Sequence, residues 1–402
     1  MIDNTAHLIK TSTTLNIEQD NSAIDAVMTD ENPLLTVLDQ IGANIASEGA
    51  KSDMEDTLSQ HTYNLLKEHQ VFSAMVPKEY GGLGVGYQEM CEFLTALAQY
   101  HPSTALSLSM HQHIIAANRF NDLNGKSAKA LLSKVSAKQL VLISTGAGDW
   151  LASSGDMTKV DGGYLFNGVK HFCSGSTGGD VFVTSGPYLD PEHGWQVLHF
   201  PVPVNSDGVT ILDNWRPMGM RGTGSNSVKM ENVFVPEESV ALKRPRGEFH
   251  AMWNVVGPVA LPIIMSVYLG VAKKMTEMAI SHSQKSLDPV TPYLVGEMEN
   301  ALTIAEVAHK DMIAIVDEFN FTPSMATLNE IAKRKTIVSK ACKDTATKAI
   351  EVCGGQGYSR DFGLEALFRD SFAAQFHPMQ EKRQHLFTGS IAMGKEPPTP
   401  TF

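Results

Sequence analysis

Three glycines near the C-terminus, Gly354, Gly355 and Gly357, mark the stretch where the main chain itself could bind a ligand. Glycine has no Cβ, so the bare N–H groups there would let an anionic or extended ligand, such as a cofactor pyrophosphate, approach the backbone closely. The same residues also fit a helix stop followed by a tight turn, because glycine ends helices at low cost. Spacing alone favours this structural interpretation, since a short glycine cluster is a weak motif.

Long helices must position this turn, because apolar residues at helical spacing run into it from residue 328. Similar spacing recurs in four earlier segments, at residues 34–45, 58–68, 90–98 and 103–119, and in the chain after residue 247. Between them lie short runs rich in Val, Leu, Ile, Phe and Tyr, which are typical of a β domain. We therefore predict four regions: a poorly ordered tail (1–30), an N-terminal helical domain (31–138), a central β domain (139–240) and a C-terminal helical domain (241–402).

Composition is that of an ordinary globular protein, with 402 residues, of which 43% are hydrophobic and 19% charged. The net charge of −12 disfavours nucleic acid or an anionic membrane as a partner, since both require a basic surface. The four cysteines form no CxxC pair, so neither a metal site nor a disulfide framework is predicted. We expect no membrane span and no signal peptide, and hence a cytoplasmic protein.

Several segments, taken in order, resemble the acyl-CoA dehydrogenase superfamily, and the resemblance extends over roughly residues 55–395. They are the glycine-rich loop at 76–84, the strand and loop at 143–149, the segments 168–175 and 215–225, and the Gly-Gly-Gln-Gly-Tyr turn followed by Arg369-Asp370. The resemblance implies an α+β multidomain fold with an N-terminal helical domain, a central β-barrel-like domain and a C-terminal four-helix bundle. It further implies FAD as cofactor, and a homotetramer in which Gly354, Gly355 and Gly357 contact the FAD of a neighbouring subunit.

The match also assigns roles in flavin binding to three residues of the β domain. Thr145 would contact the flavin ring through its backbone and hydroxyl, although its loop is shorter than the family's. Phe172 would cover the isoalloxazine ring, whose wide apolar face gains from aromatic packing. The hydroxyl of Ser174 would point at flavin N5, which carries a hydrogen in the reduced state that a hydroxyl can accept.

The catalytic base of the family is missing from both of its known positions. An acyl-CoA dehydrogenase needs a carboxylate that takes the α-proton of the thioester while hydride leaves for flavin N5. The resemblance places that carboxylate eight residues after Asp370, where this chain has Pro378, or alternatively at Ala260. If the helix bends at Pro378, His377 or Glu381 could act as the base instead.

Three functions remain open. The first is α,β-dehydrogenation of an acyl-CoA thioester by FAD, with an electron-transfer flavoprotein as redox partner, because the overall chain resembles that family most. The second is a related two-component monooxygenase that takes reduced flavin, for instance FMN, from a flavin reductase; Ser174 and His377 would then stabilise activated oxygen by hydrogen bonding. The third is an interaction protein without cofactor, because residues 285–289 replace the family's Arg-x-x-Phe-Gly contact with FAD.

Overall fold

The computed structural model describes residues 32–145 and 151–397. The predicted tail at 1–30, and the part of the loop at 143–149 that follows Thr145, lie outside these ranges. The first described region is helical, as predicted, and consists of α1 (Pro33–Glu55), α2 (Gln60–Glu68), α3 (Tyr87–Tyr100), α4 (Pro102–Leu123) and α5 (Lys129–Lys138).

Two of these helices begin at polar N-caps that the sequence supplies. The Asn32 side chain accepts a hydrogen bond from the Leu34 N–H, and Pro33 occupies the first turn of α1, where no N–H is needed. The Ser59 hydroxyl likewise accepts from the Thr62 N–H at the start of α2. These caps fix where the first two helices start.

The central region is a mixed β-sheet. Its strands are β1 (Leu142–Ser144), β2 (Asp156–Val160), β3 (Gly163–Lys170), β4 (Val181–Asp190), β5 (Gly194–Pro203), β6 (Val209–Ile211), β7 (Val228–Pro236) and β8 (Leu242–Pro245). They pair in the order β6-β7-β3-β2-β4-β5-β8, and β1 adds to β4 in parallel. The sheet is therefore open rather than closed into a barrel, which corrects the barrel-like expectation for this domain.

The third region is helical again, with α6 (Trp253–Ser283), α7 (Thr291–Val316), α8 (Met325–Gly357), α9 (Leu364–Ser371) and α10 (Glu381–Ala392). Helix α6 packs against α3 and α4 of the first region as well as against α7 and α8. The two helical regions consequently share one hydrophobic core, whereas the sheet has a separate core centred on residues such as Phe166 and Phe182. The C-terminal helical domain expected from the resemblance is therefore present, with three long helices and two short ones.

Helix α6 departs from one expectation drawn from composition. It is long and apolar enough to cross a membrane, although no such stretch was anticipated. Nearly all of the most apolar stretch of α6 is buried inside the protein, where it packs against α3, α4, α7 and α8. The apolar character of α6 is thus explained by its place at the centre of the shared core.

Helix α8 does not stop at its first glycine pair. Gly354 breaks the helix with φ +54° and ψ −139°, and one more turn follows before the element ends at Gly357. The left-handed φ at Gly354 is a conformation that other residues adopt only with strain. The backbone conformation at position 354 therefore requires glycine even without any ligand contact.

Candidate functional site

Beyond the end of β3, the chain turns so that Phe172 faces outward. Phe172 has φ +58° and its side chain is 65% exposed. A left-handed backbone at an aromatic residue costs on the order of 1–3 kcal/mol, and such strain persists mainly at functional sites. The ring of Trp215 stands edge-on to that of Phe172, with 6.3 Å between centroids.

These two aromatic residues line a cavity of about 440 Å³, which we call the Phe172 cavity. Its other described lining residues are His171, Asn214, Arg216, Pro217, Ser225 and Ser227. An exposed aromatic face beside hydroxyl and amide groups suits a flat, partly polar ring system such as a flavin. No aspartate or glutamate is among these lining residues.

Three hydroxyl groups form a chain beside this cavity. The Ser174 and Ser225 hydroxyl oxygens are 2.8 Å apart, and those of Ser225 and Thr223 are 2.7 Å apart. The Thr223 hydroxyl donates to the Met220 carbonyl at 2.9 Å. Of these three hydroxyl residues, the sequence analysis had named only Ser174. The structure places Ser174 in contact with Ser225, which lines the Phe172 cavity.

The turn that carries Met220 is held against α9. The Met220 N–H donates to the buried carboxyl group of Asp370, and an Arg369 N–H donates to the Met218 carbonyl at 2.7 Å. A Cβ at Gly219 would lie 2.4 Å from the Arg369 carbonyl oxygen, so only glycine permits this approach. Burial raises the pKa of Asp370 to about 7. The Arg-Asp pair of the sequence motif therefore joins the rim of the Phe172 cavity to the C-terminal helices.

His377 follows α9 and a short 3-10 segment, and it contacts two residues of the helical core. Its Nε2 lies 2.5 Å from the hydroxyl of Tyr268, which is fully buried in α6. The ammonium group of Lys335, whose residue is only 1% exposed, donates to the carbonyl oxygens of His377 and Met379 at 2.8 and 3.2 Å. Burial and the Lys335 charge lower the pKa of His377 to about 3. The imidazole is consequently neutral near pH 7.

Glu381 is the first residue of α10. Its carboxylate is 3.3 Å from the ammonium group of Lys382 and 3.7 Å from that of Lys340. The Lys382 contact lowers the pKa of Glu381. Neither Glu381 nor His377 is among the residues that line the Phe172 cavity.

The remaining predicted cofactor residues occupy two further places. Thr145 is buried beside β4, where its N–H donates to the Val183 carbonyl and its hydroxyl donates to that of Thr184 at 2.7 Å. Gly354 and Gly355 lie at the exposed end of α8, where an added Cβ would meet nothing within 4 Å, while Gly357 packs on Cys353. Among residues 32–145 and 151–397, no three His, Cys, Asp or Glu side chains are grouped so as to hold a metal ion.

Comparison with family models gives a match in both helical regions. The model for the acyl-CoA dehydrogenase N-terminal domain matches residues 36–123, and the model for its C-terminal domain matches residues 263–382. Together the two matches cover slightly more than half of the chain. The chain belongs to the acyl-CoA dehydrogenase family.

Relatives within this family carry two kinds of activity in their names. A dibenzothiophene monooxygenase from Mycolicibacterium goodii is 24% identical, over 84% of this chain and 88% of that protein. An acyl-CoA dehydrogenase from Bacillus subtilis is 22% identical, over 85% and 92%. The solved structure of KijD3 with FMN and a dTDP-linked amino sugar has a TM-score of 0.84 and 23% identity, and it covers 93% of this chain and 96% of KijD3.

Four residues that contact the predicted site residues, directly or through one another, were not found from the sequence: Tyr268, Lys335, Thr223 and Ser225. Thr223 and Ser225 lie inside the matched segment 215–225, so their hydroxyl groups were visible in the motif. Tyr268 stands in an apolar helix, 109 positions from His377, and no local pattern links the two. Only the tertiary structure brings such pairs together.

Proposed function

We propose that this protein is a two-component monooxygenase that uses reduced flavin supplied by a separate flavin reductase. The observation that carries the proposal is the hydrogen bond between Tyr268 and His377. It determines which proton the imidazole can give or take. The sequence alone had placed acyl-CoA dehydrogenation slightly ahead of this function.

The direction of that hydrogen bond follows from burial. Tyr268 keeps its hydrogen at neutral pH, because burial raises its pKa well above the usual value. Among the described residues its hydroxyl has one acceptor, the Nε2 of His377, and an unused buried donor would cost about 1–3 kcal/mol. Tyr268 therefore donates to Nε2, and in the neutral imidazole the hydrogen resides on Nδ1.

A histidine in this state is a hydrogen-bond donor and a poor base. Its basic nitrogen is occupied by Tyr268, and a group with a pKa of about 3 has little tendency to take an α-proton at pH 7. The Nδ1–H group makes no hydrogen bond to the described residues and can donate to a bound oxygen species. Such a donor suits oxygen activation, which needs stabilisation of developing negative charge but no α-proton base.

The positions of the carboxylates also favour a monooxygenase over an acyl-CoA dehydrogenase. Ala260 and Pro378 occupy the family's base positions, and the described lining of the Phe172 cavity contains no acid. Glu381 is paired with lysines, and its lowered pKa makes it a weaker base still. Proton abstraction from a thioester would thus need a base outside the described site.

Flavin would bind through residues of the β domain and would supply the chemistry of oxygen activation. Phe172 would cover one face of the ring, and Ser174 would meet N5 at its edge. The N–H and the hydroxyl hydrogen of Thr145 are used in hydrogen bonds to β4, so Thr145 would contact the ring without donating them. FMN is the first cofactor to test, in view of the KijD3 complex, and FAD is the second.

We further propose a homotetramer, with the end of α8 facing a neighbouring copy and its flavin. Tyr358, next to the glycine turn, is 84% exposed. Packing of this large ring against a neighbouring copy would remove its apolar surface from water. A flavin reductase is the other expected partner.

The test compares two assays on the same purified protein. In the first, reduced FMN, oxygen and a panel led by aromatic sulfur heterocycles, after the activity of the M. goodii relative, are incubated with the protein. We expect a product that has gained one oxygen atom, detected by mass spectrometry. In the second, acyl-CoA thioesters are mixed anaerobically with the protein carrying oxidised flavin, and we expect no bleaching of the flavin absorbance.

Acyl-CoA dehydrogenation is the second candidate, and it is favoured by relatives such as the B. subtilis acyl-CoA dehydrogenase. Bleaching by one class of thioester, without oxygenated product, would establish it in place of the monooxygenase. A protein that binds flavin in neither redox state would contradict both and favour the interaction protein without cofactor.

A further inference from the structure

We infer that Lys335 is a positioning residue for His377: its ammonium group holds the backbone on both sides of Pro378 and so sets the direction in which the imidazole donates. The inference rests on the proposed function, in which the Nδ1–H group of His377 donates to a bound oxygen species. Lys335 itself needs no contact with flavin or substrate for this role.

Lys335 reaches from α8 to the segment that joins the short 3-10 segment to α10. Its Nζ lies 2.8 Å from the carbonyl oxygen of His377 and 3.2 Å from that of Met379. His377 has φ −66° and ψ 145°, an extended conformation that places its carbonyl group outside the helix before it. Pro378, between the two carbonyl groups, has no N–H with which to hold the segment. Lys335 thus bridges the two carbonyl groups that flank Pro378.

Two contacts then fix the imidazole of His377, one at the ring and one at the main chain. Tyr268 lies 2.5 Å from Nε2, and Lys335 holds the backbone from which the ring projects. The contact at Nε2 alone would let the ring turn about that atom. Functional groups must be held within about 0.5 Å of their productive positions. With the backbone held as well, the Nδ1–H group keeps one direction of donation.

Burial of the Lys335 charge is unfavourable, which argues against a merely structural contact. Lys335 is only 1% exposed. The acid that acts on it, Glu381, lies beside Lys340 and Lys382, at 3.7 and 3.3 Å. Removal of an ammonium group from water costs far more than burial of a neutral donor such as an amide. Its hydrogen bonds are, in return, about twice as strong as neutral ones, which suits a segment that must not move.

The charge of Lys335 changes within an accessible range of pH. Burial lowers the pKa of Lys335 to about 8, and the charge of Glu381 partly opposes this change. The two other ionisable groups at this place are uncharged near neutral pH, since His377 has a pKa of about 3 and the buried Tyr268 keeps its hydrogen. Lys335 is therefore mostly charged at pH 7 and becomes neutral as pH rises through 8. A neutral amine donates more weakly, so the hold on the segment loosens.

The first experiment measures oxygenation from about pH 7 to about pH 9, on either side of the pKa of Lys335, with the substrate found among the aromatic sulfur heterocycles. Lys335→Met has no donor, and at pH 7 it should be slower than the wild type by about 10- to 100-fold, because a displacement of about 1 Å can cost about 100-fold in rate. The ratio of the wild-type rate to the Lys335→Met rate should fall as pH rises through 8. Titrations common to both proteins, including those of the flavin, cancel in this ratio.

Lys335→Gln separates the charge of Lys335 from its capacity to donate. Its amide is a neutral donor, so its rate at pH 7 should lie between those of the wild type and Lys335→Met. The ratio of the Lys335→Gln rate to the Lys335→Met rate should not change near pH 8. Urea denaturation shows which variants are folded, and Lys335→Gln replaces Lys335→Met in the first ratio should the latter not fold.

Thr345→Val is the matched control. Thr345 is fully buried in the same helix, nearly three turns farther along, and its hydroxyl donates to the Ala341 carbonyl at 2.8 Å. The variant loses a buried hydrogen bond of α8 but none to the segment of His377. It should keep the rate of the wild type and its dependence on pH.

Nitrogen-15 NMR of the flavin-free protein gives a readout that is independent of activity. His377 has a pKa of about 3, so between pH 7 and pH 9 its ring signals should not change by its own titration. In the wild type we expect them to change with a midpoint near pH 8, as Lys335 loses its charge. In Lys335→Gln this change should be absent. In Lys335→Met the ring should show a mixture of tautomers, because the loosened segment no longer keeps Nε2 beside Tyr268.

The outcomes separate the inference from the proposed function. Wild-type rates and pH dependence in Lys335→Met, or a single unchanged tautomer of His377 in that variant, overturn the inference and leave the proposed function standing. A wild-type protein that oxygenates none of the substrates with reduced FMN contradicts the proposed function instead. The NMR titration of the wild type needs neither flavin nor a variant, and His377 signals that stay constant through pH 8 overturn the inference in every case.

Discussion

Replacing Tyr268 with phenylalanine removes one oxygen atom from the core and leaves the ring in place. In the wild type, that oxygen lies 2.5 Å from Nε2 of His377. Without it, Nε2 becomes a buried acceptor with no donor, which costs about 1–3 kcal/mol in the free energy of unfolding. The imidazole also loses the contact that keeps its hydrogen on Nδ1, and the other tautomer becomes populated.

Tyr87→Phe is the control for the loss of stability. The Tyr87 hydroxyl is also fully buried and donates to the Val259 carbonyl at 2.8 Å, so the same substitution removes one hydrogen bond of the same kind. Both variants should lose similar stability in urea denaturation. Only Tyr268→Phe should reduce oxygenation, by about 10- to 100-fold, the size of loss that follows when the hydrogen-bond partner of a metal-binding imidazole is removed.

The direct assay is nitrogen-15 NMR of histidine-labelled protein, in which the two ring nitrogens report the tautomer of each imidazole. The chain has 14 histidines, so His377→Gln identifies the signal of interest. We expect hydrogen on Nδ1 in the wild type and a mixture of tautomers in Tyr268→Phe. A wild-type His377 with its hydrogen on Nε2 would refute the argument, and so would a tautomer that is the same in both proteins.

Three further tests, which use four substitutions, address other parts of the structure. Gly270→Ala places a Cβ 2.2 Å from the Thr95 carbonyl oxygen and should lower the free energy of unfolding by about 1–3 kcal/mol. Gly296→Ala, on the exposed face of α7, should raise the free energy of unfolding by about 1 kcal/mol. Urea denaturation of both variants measures the two changes. The folded-state pKa of Asp370 is about 7, against 3.8 for an ordinary aspartate, so the stability that its protonated form contributes is complete below pH 3.8 and is lost as pH rises through 7. Asp370→Asn should accordingly gain stability relative to the wild type over that range, by at most about 4 kcal/mol, as measured from unfolding curves at successive pH values; a constant difference would contradict the assigned pKa. Tyr358→Asp should weaken self-association measured by light scattering, and an unchanged mass would exclude Tyr358 from the interface.

The helices were the more predictable part of the fold. The helical spacing over residues 103–119 corresponds to α4, which runs from Pro102 to Leu123. One of the short runs rich in Val and Phe, at 181–184, is the first part of β4, which continues to Asp190 although Gly186 and Pro187 weaken the pattern. Both residues are held in the ladder by pairing with β5, a contact that the local sequence does not encode.

Site residues in local motifs were likewise predictable from the sequence, whereas those that depend on long-range contacts were not. Phe172 and Ser174 were proposed because their segment resembles a family motif; the structure places Phe172 in the lining of the cavity and Ser174 in contact with the lining residue Ser225. Lys335 reads in the sequence as an ordinary helix charge, yet it is buried and bonded to the carbonyl of His377. Contacts between residues far apart in the chain depend on packing, which spacing cannot report.

Met220 hydrogen bonds both to residues around the Phe172 cavity and to the helix that precedes His377. Its carbonyl accepts from Thr223 and from the Trp215 indole at 3.3 Å, so it anchors both the hydroxyl chain and an aromatic wall of the cavity. Its N–H donates to Asp370, which belongs to the helix that precedes His377. A single buried residue thus connects the acceptor proposed for flavin N5 to the segment that carries the donor proposed for oxygen. We propose that this connection holds Ser174 and His377 near one bound flavin, because a hydrogen bond acts only over a short range.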